Sequence, residues 1–116
     1  MSQIADDLEN KERKLTLPSG KTVLLPYPFR EKLLFKDVII VLLDVPSNIQ
    51  MNENVFGISR SGQILWQIEK KPSPYKTSPY LDLNRDGDNV KVGNWDGMEY
   101  IIEPLTGRIL QERYTK

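Results

Sequence analysis

Val55-Phe56-Gly57-Ile58-Ser59-Arg60-Ser61-Gly62-Gln63-Ile64-Leu65-Trp66 and Tyr100-Ile101-Ile102-Glu103-Pro104-Leu105-Thr106-Gly107-Arg108-Ile109-Leu110 read as one β-hairpin written twice. In each copy an apolar run rich in β-branched and aromatic residues meets a glycine-bearing turn and resumes as a second apolar run, the composition that suits paired, half-buried strands. Gly62 and Gly107 stand 45 residues apart. A period of that length belongs to repeats in which each unit is a small sheet unable to bury a face alone. The two units must therefore cover each other or a partner.

Composition narrows the chemistry. At 116 residues the chain fits a single domain with a modest core. Lys plus Arg and Asp plus Glu number 16 each, so no net field draws the molecule to nucleic acid or to an anionic membrane, and neither is expected as a partner. There is no cysteine, which removes disulfides and thiolate chemistry and suits a reducing compartment. There is no histidine either, so the usual imidazole base and the commonest transition-metal ligand are missing, and zinc and Ser-His-Asp chemistry with them. The start, Met1-Ser2-Gln3-Ile4-Ala5-Asp6-Asp7-Leu8-Glu9, is polar and acidic, unlike a secretory signal, and points to a cytoplasmic protein. The longest apolar run, Val38 to Leu43, has six residues, far too few to cross a bilayer as a helix.

Along the chain, residues 1–13 form an arm in which Ile4 and Leu8 share one side of a short amphipathic helix over Ser2 to Lys11. Residues 14–25 read as a hairpin around Pro18-Ser19-Gly20, and Pro26 and Pro28 stop its second strand because proline cannot donate to a ladder. A first meander is expected over 31–69. Its strand Val38-Ile39-Ile40-Val41-Leu42-Leu43 is apolar on both faces and belongs at the centre, covered on each side. In Gln63 to Glu69, the alternation puts Ile64, Trp66 and Ile68 on one core-facing side. Residues 70–79, with Pro72, Pro74 and Pro79, read as a linker. A second meander runs over 80–114 with turns at Arg85-Asp86-Gly87-Asp88, Asp96-Gly97 and Leu105-Thr106-Gly107, where glycine supplies positive φ.

The strings Asn54-Val55-Phe56-Gly57-Ile58 to Ile64-Leu65-Trp66, Gly93-Asn94-Trp95-Asp96-Gly97 and Thr106-Gly107-Arg108-Ile109-Leu110 resemble blades of quinoprotein-like and WD propellers, over roughly Glu31 to Tyr114. The complete order, from Leu17-Pro18-Ser19-Gly20-Lys21 to Tyr114-Thr115-Lys116, is similar to a group of small uncharacterised bacterial proteins, some of them immunity proteins of polymorphic toxin systems. The resemblance implies blade-like topology and a protein partner. Two units are too few to close a ring, so it carries over no quinone, metal or catalytic residue. The expected fold is mainly β: an N-terminal hairpin followed by two four-stranded antiparallel meanders packed as a sandwich or partial barrel, not a closed propeller.

Four features bear on a site. Asp82-Leu83-Asn84-Arg85-Asp86-Gly87-Asp88 matches the first half of a calcium loop, yet Gly93 stands where the closing bidentate Glu belongs, so a plain hairpin turn is the better reading. Trp66, Trp95, Tyr80 and Tyr100 could offer π faces to a ligand; Trp66 fits the core, while Trp95 beside the Asp96-Gly97 turn suits a solvent-facing platform. The alternative for Trp95 is a cross-strand pair that pins the hairpin register. Lys70-Lys71-Pro72-Ser73-Pro74-Tyr75-Lys76 is the most basic stretch and suits a solvated spacer better than a docking strip. Asp96 and Glu99 could imitate a glycosidase acid and base, but among 16 acids such a pair arises by chance.

The reading is a non-enzymatic, cytoplasmic protein-interaction domain, an immunity-type inhibitor whose partner is a toxin, with no cofactor and no metal. The binding candidates are Trp95, Asn94, Asp96, Tyr100, Lys70, Lys71 and Tyr75. A carbohydrate or small-ligand module built on Trp95 and Tyr100 is the alternative, and a structural homodimer closing its sheets about a two-fold axis is another.

Overall fold

The structure, a computed structural model, describes residues 13–35 and 37–114. The helix expected over Ser2 to Lys11 lies outside the described residues. Ten strands run through the described residues in up-and-down order. β1 (Lys14–Thr16) and β2 (Thr22–Leu24) pair as a hairpin. β3 (Phe29–Leu34), β4 (Val38–Leu43), β5 (Val55–Ser59) and β6 (Ile64–Gln67) form sheet I. β7 (Tyr80–Asp86), β8 (Asn89–Asn94), β9 (Met98–Ile102) and β10 (Ile109–Tyr114) form sheet II. The chain thus adopts the expected class: mainly β, a hairpin and two four-stranded antiparallel meanders, with no closed barrel. Sheet I starts at Phe29, ahead of the expected Glu31, because the Pro28 carbonyl accepts a hydrogen bond from Asp44 N–H at 2.7 Å and keeps the ladder going past the proline.

Every residue of β4 is buried, and its two faces serve two cores. Val38, Ile40 and Leu42 join Val55, Trp66 and Ile68 against Tyr80, Leu83, Val90, Val92, Tyr100 and Ile102 of sheet II. Ile39, Val41 and Leu43 join Phe56 and Ile58 against Leu15, Leu17 and Leu25 of the hairpin region. The hairpin is therefore a lid on one face of sheet I, and sheet II covers the other. Each such aliphatic side chain contributes about 1.5–3 kcal/mol on full burial.

The pairing registers superimpose the two sheets residue by residue. Gly57 pairs Trp66 and Ile58 pairs Ile64, while Ile101 pairs Gln111 and Ile102 pairs Ile109. Both ladders carry a bulge at this point, with Leu65 and Leu110 as the extra residues. The first bulge corrects one expectation: it turns Ile64 off the Trp66 face, leaving Ile64 58% exposed while Trp66 and Ile68 are buried. The turns differ by one residue: Ser59 N–H bonds Gln63 O at 2.8 Å, and Glu103 N–H bonds Arg108 O at 2.9 Å. The repeat thus runs at one spacing after the glycines and one residue less before them.

This correspondence sets the outer surface of sheet II apart from the matching face of sheet I. On sheet I, the face toward sheet II presents Val38, Ile40, Leu42, Val55, Gly57, Trp66 and Ile68. At the matching positions, the outer face of sheet II presents Asn89, Lys91, Gly93, Glu99, Ile101, Gln111 and Arg113. Glu99 there bridges Arg113 at 3.1 Å and Lys91 at 3.7 Å. Where sheet I turns an apolar face to its neighbour, sheet II carries a largely polar face with its own ion pairs.

Trp66 locks the two copies together. Its Nε1–H donates to Pro104 O at 2.8 Å. A Cβ on Gly57 would lie 2.8 Å from Trp66 Cζ2, and one on Gly107 would lie 2.9 Å from Trp66 Cγ, with other ring atoms closer still. The indole is clamped between a glycine of its own sheet and the repeat-marking glycine of the other.

Candidate functional site

Where β6 leaves sheet I and β7 enters sheet II, the chain crosses from one sheet to the other and lines a cleft. Its walls are Asn52, Glu53, Glu69, Lys71, Pro72, Ser73, Ser78, Tyr80, Asn94, Asp96 and Tyr100. The cavity, open to solvent on one side, is about 20 Å³, room for one water-sized group. Wider, shallower hollows of about 300 and 360 Å³ open beside β3 and beside the Glu103-Pro104-Leu105 turn, and neither contains any of the seven candidate binding residues.

Asparagines hold the cleft in shape. Buried Asn54 accepts from Tyr80 N–H at 2.8 Å and donates to both Tyr80 O and Leu43 O at 3.0 Å, tying the start of β7 to sheet I. Asn52 accepts from Ser78 N–H at 2.9 Å. Asn94 accepts from the Ser78 hydroxyl, donates to Ser78 O at 2.9 Å and accepts from Asp96 N–H at 3.0 Å. Gln50 and Asn52 both donate to Lys76 O, at 2.6 and 3.0 Å, so the segment expected as a linker is pinned to the β4–β5 loop. Few rotamers remain free, and the walls are set before any ligand arrives.

Tyr80 and Tyr100 form the floor, with ring centroids 5.8 Å apart in an edge-on arrangement at 66°. Burial holds the Tyr80 phenol far above the usual range, and the charges of Tyr100, Asp96, Glu53 and Glu69 push the same way. Burial, then Asp96 and Glu112, raises Tyr100 as well. Both phenols are neutral at physiological pH, in a site whose surrounding charge is mostly negative. Lys71 is the cation of the lining, and its ammonium is engaged by Glu112 at 3.0 Å.

Four of the seven candidate residues, Asn94, Asp96, Tyr100 and Lys71, line this one cleft. Trp95, between Asn94 and Asp96 in the chain, is outside the lining and 57% exposed, its backbone N–H donating to Pro79 O at 2.9 Å. Lys70 and Tyr75 are exposed and outside the lining. The sequence did not single out Asn52, Glu53, Glu69, Ser73 or Ser78. These lie on loops far apart in the chain, and the one local signal was Asn52-Glu53-Asn54 ahead of a strand. Asp96 and Glu99 part company: Asp96 lines the cleft and caps Met98 N–H at 2.9 Å, whereas Glu99 lies on the outer face of sheet II. The Asp82 to Asp88 stretch is strand and turn, with Asp82 accepting from Gly93 N–H at 3.0 Å. Among the described residues no group of three or more Asp or Glu is arranged to hold a metal ion.

Fold and site together define an all-β protein of two packed four-stranded meanders, with an acidic and aromatic cleft where the two sheets meet. Over residues 5–114 the chain matches a family model described as a domain of unknown function (DUF7957), and it belongs to that family. No curated protein matches it significantly. Among solved structures it is similar to BamB from Moraxella catarrhalis, with a TM-score of 0.55 and 22% identity over 81% of this chain. The match covers 26% of BamB. That likeness shows the fold alone and fits the blade-like reading of each meander.

Proposed function

We propose that this chain is a non-enzymatic protein-interaction domain that binds its partner over the inter-sheet cleft, and that it serves as an immunity-type inhibitor of a bacterial toxin. The observation that carries the reading is Trp95: an indole 57% exposed, next in the chain to Asn94 and Asp96 of a cleft that Tyr80 and Tyr100 also line. Tryptophan and tyrosine dominate binding hot spots because they bring large contact areas at low cost in side-chain entropy. Rigid walls spare the partner the cost of ordering them. The outer face of sheet II, by contrast, is closed off by its own ion pairs.

The test is co-purification with the protein encoded beside this gene. The reading expects a defined complex that Trp95→Ala weakens at least tenfold, since loss of a hot-spot aromatic costs about 2 kcal/mol or more. A chain that finds no partner, or a complex indifferent to Trp95→Ala, contradicts it. A solution mass twice that of the chain, returning to one on Trp95→Ala, would make the same face a homodimer interface instead.

A second reading, a carbohydrate stacked on Trp95 with Asn94, Asp96 and Tyr100 as polar anchors, is favoured by the exposed indole beside hydrogen-bonding side chains. The cavity admits only a water-sized group, so a sugar ring would rest on the lip. Saturable quenching of Trp95 fluorescence by a glycan would support it.

A further inference from the structure

The cleft shows an unmatched group at its base. Tyr80 is 3% exposed, lines the cavity, and its hydroxyl has no hydrogen-bond partner among the described residues. Among the described residues no buried side-chain nitrogen or oxygen lacks a partner, so this hydroxyl is the one point at which the otherwise buried Tyr80 meets solvent, open in the cleft to a ligand group. Asp96, Glu53 and Glu69 line the same cavity.

These carboxylates are only partly satisfied. One Asp96 oxygen accepts from Met98 N–H and one Glu69 oxygen from Ile109 N–H, each at 2.9 Å. Among the described residues the other oxygens of these two, and both of Glu53, are unbonded. With Glu112 at the rim there are four carboxylates against the one ammonium of Lys71, which Glu112 already holds. The cavity of about 20 Å³ fits a group the size of water, too small for a planar guanidinium. No set of three carboxylates is close enough to trap a metal ion.

We infer that the cleft is a pocket for a primary ammonium group, the tip of a lysine side chain supplied by the partner protein. Its three N–H donors would meet the Tyr80 hydroxyl and the free oxygens of Asp96 and Glu53, while its methylene stem would lie against Tyr100. This inference rests on the interaction reading above and names the group the site receives.

The experiment uses the full chain with ring-labelled tyrosine, followed by NMR at constant ionic strength. The probes are methylammonium chloride, potassium chloride, and a lysine-containing tripeptide with blocked ends, with or without Nε-acetylation. Methylammonium and the lysine peptide are expected to shift the Tyr80 and Tyr100 ring signals saturably. Acetylation of the lysine, Tyr80→Phe and Asp96→Asn should each weaken the peptide about tenfold, the scale of one lost charge-assisted hydrogen bond. Asn keeps an oxygen for the Met98 N–H, so Asp96→Asn remains a fair test if Tyr80→Phe disturbs the core. No saturable shift, equal binding of the acetylated peptide, or equal shifts with potassium would overturn the lysine assignment. A partner complex that still depends on Trp95 would then leave the interaction reading standing and only the ammonium pocket refuted.

Discussion

Replacing Gly57 by alanine isolates the clamp on Trp66. Gly57 does not have positive φ, so alanine there strains no backbone. In an unobstructed strand the change would stabilise the fold by about 0.5–1 kcal/mol, by restricting the unfolded chain. Here the new Cβ would fall 2.8 Å from Trp66 Cζ2 and nearer still to Cε2 and Nε1, where ordinary carbon contacts are about 3.5–4.0 Å. The ring must move by roughly 1 Å, an overpacking cost of about 1–3 kcal/mol. Movement also strains or breaks the Nε1–H bond to Pro104 O, leaving a buried donor unpaired for about 1–3 kcal/mol more. The net expectation is a loss of about 2–4 kcal/mol, seen as a fall of roughly 1–2 M in the urea midpoint followed by circular dichroism. In a Trp66→Leu background the same alanine should cost less than about 0.5 kcal/mol, because the obstructing ring is gone. A Gly57→Ala protein as stable as the parent, or a penalty unchanged by Trp66→Leu, would refute the clamp.

Three further outcomes follow from the same contacts. Asn54→Ala strips partners from Tyr80 N–H, Tyr80 O and Leu43 O and should cost about 2–4 kcal/mol in chemical denaturation, with the Tyr80 ring signal displaced. Giving the outer face of sheet II the residues of sheet I, through Lys91→Ile, Gln111→Trp and Arg113→Ile, should create an apolar docking face and drive self-association in analytical ultracentrifugation, whereas the parent face should not. Alkali should destabilise the fold through Tyr80: its folded pKa lies above the unfolded value near 10, so the folded state holds the proton longer. Stability is then level below about pH 10 and falls above it, and Tyr80→Phe should flatten that fall.

What the sequence disclosed follows physical range. The twin hairpins, the doubly buried strand Val38–Leu43 and the glycine turns were readable because each rests on neighbours within a few residues. Ile64 was placed on the wrong face because alternation assumes an unbroken ladder, and the bulge at Leu65 leaves no mark in residue type. The hairpin's second strand ends at Leu24, ahead of Pro26 and Pro28, while sheet I opens two residues early because a proline carbonyl still accepts, a contact from Asp44 that residue type does not announce. Asn94, Asp96 and Tyr100 could be picked out because they flank one turn. Their companions Asn52, Glu53, Glu69 and Ser78 arrive from loops on the other sheet, and only the packing of sheet I on sheet II brings them there. The polar outer face of sheet II became meaningful once the registers aligned Gln111 with Trp66 and Lys91 with Ile40.

The central claim is that the partner binds where the two sheets meet. Hydrogen exchange on the complex with the protein encoded beside this gene tests it most directly. The account predicts new protection over residues 94–100 and 69–73, around Trp95 and the cleft, with the outer face of sheet II unchanged. Protection confined to the Lys91, Glu99 and Arg113 face, or to the β1–β2 hairpin, would contradict it.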